Sequence, residues 1–253
     1  MGSLTNKRAL ITGGGHGIGK SISEGLLKAG CDIAIHYNSD EKGAQEAVAL
    51  ASSLGRKARA FKANLCDEAA ATGMVREAAE FLGGIDVLVN NSGGLIARRT
   101  LAEVDTDFWQ KVIDLNMTTM MYVTREALPY LIKANGSSIV NISSLAGRKG
   151  GHGGSLVYSM TKGAVITFSR ALSGELGPQG VRVNNIAPGL ILNTNFHNTH
   201  TTKESALETI RGIPLGRAGT VEDVARAAVF LAAEYDGFIN GATIDVNGGV
   251  YCA

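Results

Sequence analysis

Seven short runs rich in β-branched residues, at 7–11, 32–37, 57–62, 85–90, 137–142, 181–186 and 242–246, alternate with longer stretches of helical periodicity along the whole chain. Strands separated by helices return to a sheet as parallel neighbours, and the crossover helices cover its faces. The segments 18–29, 40–54, 67–82, 101–134 and 156–176 carry apolar residues at helical spacing, as with Ile22, Leu26, Leu27 and Ala29 in the first. Val87, Leu88 and Val89, like Ile139, Val140 and Ile142, form nearly unbroken apolar runs, which marks strands buried on both faces. The pattern predicts an α/β fold: one doubly wound, mainly parallel seven-stranded sheet flanked by helices on both faces, in a single domain over 1–253.

The segment 190–219 departs from this alternation. Leu190 to Thr202 is polar and weakly periodic, and Lys203 to Arg211 then reads as a short helix. Ligands of open parallel sheets lie at the carboxyl ends of the strands, so an excursion after the sixth strand is expected to act as a lid over about 190–215.

A net charge of +1 with scattered Lys and Arg offers no basic stripe, which argues against nucleic-acid and membrane-surface partners. Apolar runs are strand-sized, and the start Met1–Asn6 matches neither a secretory signal nor a myristoylation motif. Cys31, Cys66 and Cys252 form no Cys-x-x-Cys pair, so free thiols in a reducing cytoplasm are expected, with no metal site. The 33 glycines show no repeat and gather where β-runs end. One of those places carries the first functional signal.

Thr12-Gly13-Gly14-Gly15-His16-Gly17-Ile18-Gly19-Lys20-Ser21 follows the first strand and satisfies two phosphate-binding patterns at once. From Gly14 it is G-x-x-x-x-G-K-S, a P-loop, in which Lys20 would meet β/γ-phosphates and Ser21 magnesium. From Thr12 it is a glycine-rich turn that seats a dinucleotide pyrophosphate at a helix N-terminus. A P-loop enzyme also needs an acidic residue at the end of a neighbouring strand. Here those strands end in Asn90-Asn91 and Asn141, Asp86 lies at the wrong end, and only Asp245 remains as a weak candidate. A dinucleotide site instead meets the adenosine ribose at the end of the second strand, His36-Tyr37-Asn38-Ser39. No carboxylate stands there to repel a 2′-phosphate, Asn38 and Ser39 can donate to one, and His16 can add charge; NADP(H) is favoured, and NAD(H) is compatible.

Beyond the fifth strand come Ser143-Ser144, a Gly-rich loop and Tyr158-Ser159-Met160-Thr161-Lys162. Tyr and Lys four apart share a helix face, so an ammonium can stand beside the phenol and lower its pKa from about 10. Taken in order, these landmarks resemble the short-chain dehydrogenase/reductase family over the whole chain. The resemblance implies a Rossmann-type fold and assigns the cofactor to Gly13, Gly15, His16, Gly17, Ile18 and Gly19, then to Tyr37, Asn38 and Ser39. Asn64-Leu65 matches the family's Asp-hydrophobic pair at the adenine, and Asn91, Ser92 and Gly93 its N-N-A-G element. Pro188, Gly189 and Thr194 match the segment beside the nicotinamide.

By the same resemblance, Tyr158 is the general acid/base and Ser144 orients the carbonyl. Lys162 holds the ribose and lowers the Tyr158 pKa, and Asn116 anchors a proton-relay water. This chain departs from the pattern at Asn64 and Ser92, and by one extra residue both before Tyr158 and before Thr194. The added residues fall where a substrate binds, so specificity transfers least.

Arg98, Arg99, Arg148, Lys149, His152, His197 and His200 all fall in loops at the cofactor edge, which suits an anionic substrate. The chain resembles 3-oxoacyl-thioester reductases. Gly93-Gly94-Leu95 with Arg98, Asn195-Phe196-His197 and Asp245–Gly249 with Tyr251 are also similar to reductases of the keto-uronate derived from alginate, 4-deoxy-L-erythro-5-hexoseulose uronate. The expected reaction is therefore NAD(P)H-dependent reduction of a small-molecule carbonyl. Its rivals are a dinucleotide-binding sensor without turnover and a P-loop nucleotide hydrolase. The family resemblance further implies a homotetramer.

Overall fold

The computed structural model describes residues 4–134, 136–192, 194, 199–233 and 237–252. Its strands are β1 (Arg8–Ile11), β2 (Asp32–Tyr37), β3 (Ala58–Lys62), β4 (Val87–Asn90), β5 (Ser137–Ile142), β6 (Val181–Pro188) and β7 (Thr243–Val246). They form one seven-stranded sheet in the order β3-β2-β1-β4-β5-β6-β7, and every pairing is parallel. The expected sheet is thus present, and it is parallel throughout.

Successive strand residues face opposite sides, so each apolar run supplies two cores. Ile11, Val89 and Val140 pack with α1 (Gly17–Lys28) and α2 (Glu41–Ser53). Their chain neighbours Leu10, Leu88 and Ile139 pack on the other face with α3 (Glu68–Leu82). The long helical stretch expected over 101–134 is divided. A 3₁₀ turn at Leu101–Glu103 precedes α4 (Thr106–Ile113), a π turn at Asp114–Thr118 and α5 (Thr119–Ala134). The π turn has an identifiable cause, because the Asn116 amide donates both to Val112 O within the helix and to Gly94 O in the β4 loop, each at 2.9 Å.

Two more helices were not expected. A short α6 (Leu145–Lys149) replaces the predicted Gly-rich loop, capped by Ser144 Oγ, which accepts the Ala146 N–H at 3.1 Å. After α7 (Leu156–Leu176) and α8 (Lys203–Arg211), the last helix is α9 (Val221–Ala232). Thr220 and Asp223 form a capping box at its start, and Val224, Ala228 and Leu231 bury its inner face. It lies close against α1, where a Cβ on Gly25 would come within 3.1 Å of Val229 Cγ2. The predicted helix at 203–211 is present; residues 193 and 195–198 of the expected lid lie outside the described residues.

An amide row crosses the centre of the sheet. Asn90, Asn141 and Asn185 are register partners on β4, β5 and β6. Asn90 Nδ2 donates to Asn141 Oδ1 at 2.8 Å and Asn141 Nδ2 to Ser169 Oγ at 2.7 Å; Ser169 Oγ in turn donates to Asn185 Oδ1 at 2.7 Å. All four are buried, and the loops that build the site begin just beyond this row.

Candidate active site

Strand order reverses between β1 and β4, and a cleft of about 640 Å³ opens there at the carboxyl ends of the strands. Thr12, at the end of β1, ties the two sides together: its Oγ1 accepts the N–H groups of Asn91 at 3.0 Å and Ser92 at 3.1 Å. Asn91 Nδ2 returns hydrogen bonds to Thr12 O and Gly13 O, both at 3.1 Å. Gly13 turns the chain with φ +62°, which favours a residue without Cβ. At Gly19 the demand is steric, since a Cβ there would lie 2.0 Å from Gly13 O.

Gly13, His16, Ile18 and Gly19 line the cleft, and so do Tyr37, Asn38 and Ser39. Asn91, Ser92, Gly93, Pro188, Gly189 and Thr194 line it from the opposite side. Four assigned cofactor residues stand apart. Gly15 lies against the start of α2, where a Cβ would come within 2.7 Å of Asp40 O; Gly17 opens α1 but does not line the cleft. Asn64 is exposed outside the cleft with its Oδ1 accepting Cys66 N–H at 3.2 Å, and Leu65 is buried in the core. One expectation needs correction, for a carboxylate does reach this end of the cleft: Asp40 lines it, with Oδ1 accepting the Gly43 N–H at 3.1 Å.

Two residues that entered the sequence analysis only as members of longer runs support this half of the site. His36 is buried at the end of β2, where its Nδ1 accepts Gly13 N–H at 3.1 Å. Its signal was one polar residue in an apolar strand. Leu95 is buried in the wall beyond Gly93 and packs with Tyr158.

The P-loop features lead elsewhere. Lys20 pairs with Glu46 of α2 rather than entering the cleft. Asp86 pairs with Arg8 at 2.6 Å at the opposite end of the sheet, and Asp245 pairs with Arg148 at 3.0 Å. Among the described residues, the two strand carboxylates that could have held magnesium opposite the loop are thus both engaged elsewhere.

Ser144, Tyr158 and Lys162 converge on the cleft from the start of α6 and the first two turns of α7. The Ser144 hydroxyl bonds the Tyr158 phenol, and Lys162 Nζ stands 5.8 Å from the Tyr158 ring centre. Lys162 Nζ donates to Ile142 O at 2.9 Å. Burial pushes the Tyr158 pKa up to about 12 against the smaller lowering by Ser144, and burial pushes Lys162 down to about 8. The expected lowering of the phenol by the lysine is thus outweighed here by desolvation. Asn116 is buried beneath the cleft and does not line it; its Oδ1 accepts Gly94 N–H at 3.0 Å. A Cβ on Gly93 would lie 2.7 Å from that oxygen and 3.1 Å from Lys162 Nζ, so glycine lets the loop settle between them. A half-buried hydroxyl beside a buried phenol and amine in one apolar-walled cleft can orient a carbonyl and exchange a proton with it.

Of the cations assigned to substrate, Arg98, Lys149 and His152 line the cleft. Arg98 donates to Gly153 O at 3.0 Å and His200 O at 3.3 Å, so it ties three loops together at the mouth. Arg99 instead pairs with Asp105 at 2.8 Å and lies over the Phe108 ring. Arg148 turns away to Asp245, His200 contributes its carbonyl, and His197 lies outside the described residues. Thr201, Ser205 and Thr209, from the lead-in and one face of α8, add hydroxyls that the sequence reading did not single out.

A family model described as enoyl-(acyl carrier protein) reductase matches residues 13–251. The chain is 36% identical over 253 residues to the 3-oxoacyl-(acyl-carrier-protein) reductase FabG of Aquifex aeolicus, covering 98% of each protein. It is 37% identical over 252 residues to the uncharacterized oxidoreductase YmfI of Bacillus subtilis, covering 98% of this chain and 100% of the other. Among solved structures it resembles the NADH-dependent reductase A1-R′ responsible for alginate metabolism, with TM-score 0.90, 31% identity and 99% of each chain covered. A blue fluorescent protein from a metagenomic library, solved in complex with NADPH, matches with TM-score 0.92 and 31% identity over 99% of this chain and 100% of the other. The matches span the strands, the glycine loop and the Ser144, Tyr158 and Lys162 cluster alike: the chain belongs to the short-chain dehydrogenase/reductase family and is an NAD(P)-dependent oxidoreductase.

Proposed function

We propose that this enzyme reduces the carbonyl of a small anionic substrate, with NADPH as the favoured cofactor. The observation that carries the substrate class is the cationic mouth formed by Arg98 and Lys149, with His152 beside them, in the cleft that also holds Ser144 and Tyr158. The glycine cradle at Gly13 and Gly19 suits a pyrophosphate, and Asn38, Ser39 and His16 suit a 2′-phosphate. Asp40 opposes that charge, but its Oδ1 is engaged by Gly43. The NADPH-bound neighbour supports the preference, while the NADH-dependent one keeps NADH as the alternative.

A bound nicotinamide supplies the hydride. Ser144 donates to the substrate oxygen and fixes its position, and Tyr158 protonates that oxygen as it gains charge. Lys162, where cationic, offsets the phenolate left behind and holds the cofactor ribose. Asn116 sets the loop at Gly94 and anchors a water that returns protons toward Lys162. The described part of the expected lid borders the cleft, with Thr201 ahead of α8 and α8 presenting Ser205 and Thr209 to it.

Between the two anionic candidates, the hydroxyls of Thr201, Ser205 and Thr209 favour a polyhydroxylated keto-uronate, 4-deoxy-L-erythro-5-hexoseulose uronate, as does the alginate-linked neighbour. The 3-oxoacyl thioester is the second reading, supported by the FabG relative and by apolar Leu95, Leu145 and Ile213 in the wall. Steady-state NADPH oxidation should be fastest with one of these two, well ahead of a neutral ketone of similar size. Equal rates with the neutral ketone would remove the anionic reading. Tyr158→Phe should lower kcat by about 10²–10⁴ while NADPH still binds; a variant with near-normal turnover would sink the assignment. Wild-type protein that binds NADPH but oxidises it with no carbonyl would point to the sensor. The family resemblance further supports a homotetramer, which light scattering of the purified enzyme tests.

A further inference from the structure

His36 sits at the end of β2 with 2% of its surface exposed, beneath the glycine loop in the wall of the cleft. Its two ring nitrogens have fixed partners: Nδ1 faces the Gly13 N–H at 3.1 Å, and Nε2 faces Ala63 O at 3.1 Å. A carbonyl can only accept and an amide N–H can only donate. The ring must therefore carry its hydrogen on Nε2 and present a bare Nδ1, so it is neutral. The same strand residue accepts again through its backbone, where Gly14 N–H bonds His36 O at 2.9 Å. Two successive amides of the phosphate loop thus hang on this one residue.

We infer that His36 is a positioning residue for the dinucleotide: its neutral Nε2–H form holds Gly13 in the turn that receives the cofactor, and protonation of the ring releases that turn. The inference rests on the dinucleotide reading of the loop. A proton on Nδ1 would set a donor against the Gly13 N–H, leaving a buried amide without an acceptor. Burial already holds the ring below its ordinary pKa, against the smaller raising effect of Ala63 O. The charged and titratable groups on the elements around it have other engagements. Lys62 on β3 is exposed, Asp40 is bonded to Gly43, Tyr37 is bonded to Glu41, and His16 lines the cleft. Beyond β1 the ring meets the Gly13 N–H.

Calorimetric titration of the full chain with NAD⁺ and with NADP⁺, between about pH 7.5 and about pH 5, tests the inference. Both dissociation constants should rise on the order of tenfold toward the acid end. In His36→Asn, whose side-chain oxygen can take the place of Nδ1 but cannot titrate, that acid limb should disappear. A limb seen with NADP⁺ alone would belong to the 2′-phosphate and overturn the inference, as would a limb retained in His36→Asn. Nitrogen-15 NMR of the wild-type imidazole at neutral pH needs no variant: the Nε2–H tautomer is expected, and an Nδ1–H tautomer overturns the inference. Wild-type protein that binds neither dinucleotide at neutral pH would instead overturn the cofactor reading, and the inference with it.

Discussion

At the scale of single residues, the site is governed by desolvation. Tyr158 and Lys162 are both buried, and each is pushed toward its neutral form, to pKa values of about 12 and about 8. The two effects have different consequences at physiological pH. The phenol remains a proton carrier throughout, whereas Lys162 gives up its charge as pH rises through about 8. Losing that cation removes the charge that offsets the phenolate formed when Tyr158 gives up its proton. The kcat/KM for carbonyl reduction should therefore fall as pH rises through about 8. Lys162→Arg keeps its charge, so its limb should move to higher pH even if the maximum rate drops. A limb at the same pH in Lys162→Arg would assign the titration to another group.

At the scale of elements, the short α6 helix shows how one ion pair places a catalytic segment. Ser144 caps α6 and Arg148 closes it, reaching Asp245 on β7 with side chains 9% and 17% exposed. Removing the guanidinium leaves a largely buried carboxylate unpaired and frees α6 from the sheet. Arg148→Ala should destabilise the protein by about 3 kcal/mol, read as a lower urea midpoint. A midpoint within error of wild type would show that α6 is held by other contacts.

The sequence pattern exposed such elements unevenly. Strands were legible because β-branched runs have a period that admits one fold. The phosphate loop and the Ser144, Tyr158 and Lys162 set were legible because their spacing is local. α6 was hidden because Gly147 reads as loop, although a Cβ there would lie 2.5 Å from Lys162 C, so glycine serves helix packing. The π turn at Asn116 was hidden because its cause, the Gly94 backbone, lies 22 residues away. The role of His36 depends on both Gly13 and Ala63 and was invisible for the same reason. By contrast, α9 was not expected although its signal is local, a Thr220 and Asp223 capping box followed by apolar residues at helical spacing.

At the scale of the whole molecule, the reversal of strand order between β1 and β4 fixes where a cleft can open. The two cores, packed on opposite faces, hold the sheet that supports it. Between the cores runs the amide row Asn90, Asn141 and Asn185, whose pairing depends on all three strands at once. Asn141→Ala would leave an Asn90 amide hydrogen without its acceptor in the interior and take from Ser169 Oγ the donor it accepts from, while Ser169 keeps its bond to Asn185. It should lower stability by about 2 kcal/mol in urea unfolding, and no change would mean that water satisfies the row.

That row has a further consequence for how this protein can change. A strand that slips by one residue turns its side chains to the opposite face, and here it would also bury amides with nothing to bond. The heights at which Asn91, Ser144 and Pro188 leave the sheet are therefore quantised rather than adjustable. New substrates can be accommodated only by remodelling loops and α8 above a fixed datum, so the chemistry and the choice of substrate are free to diverge on separate timescales.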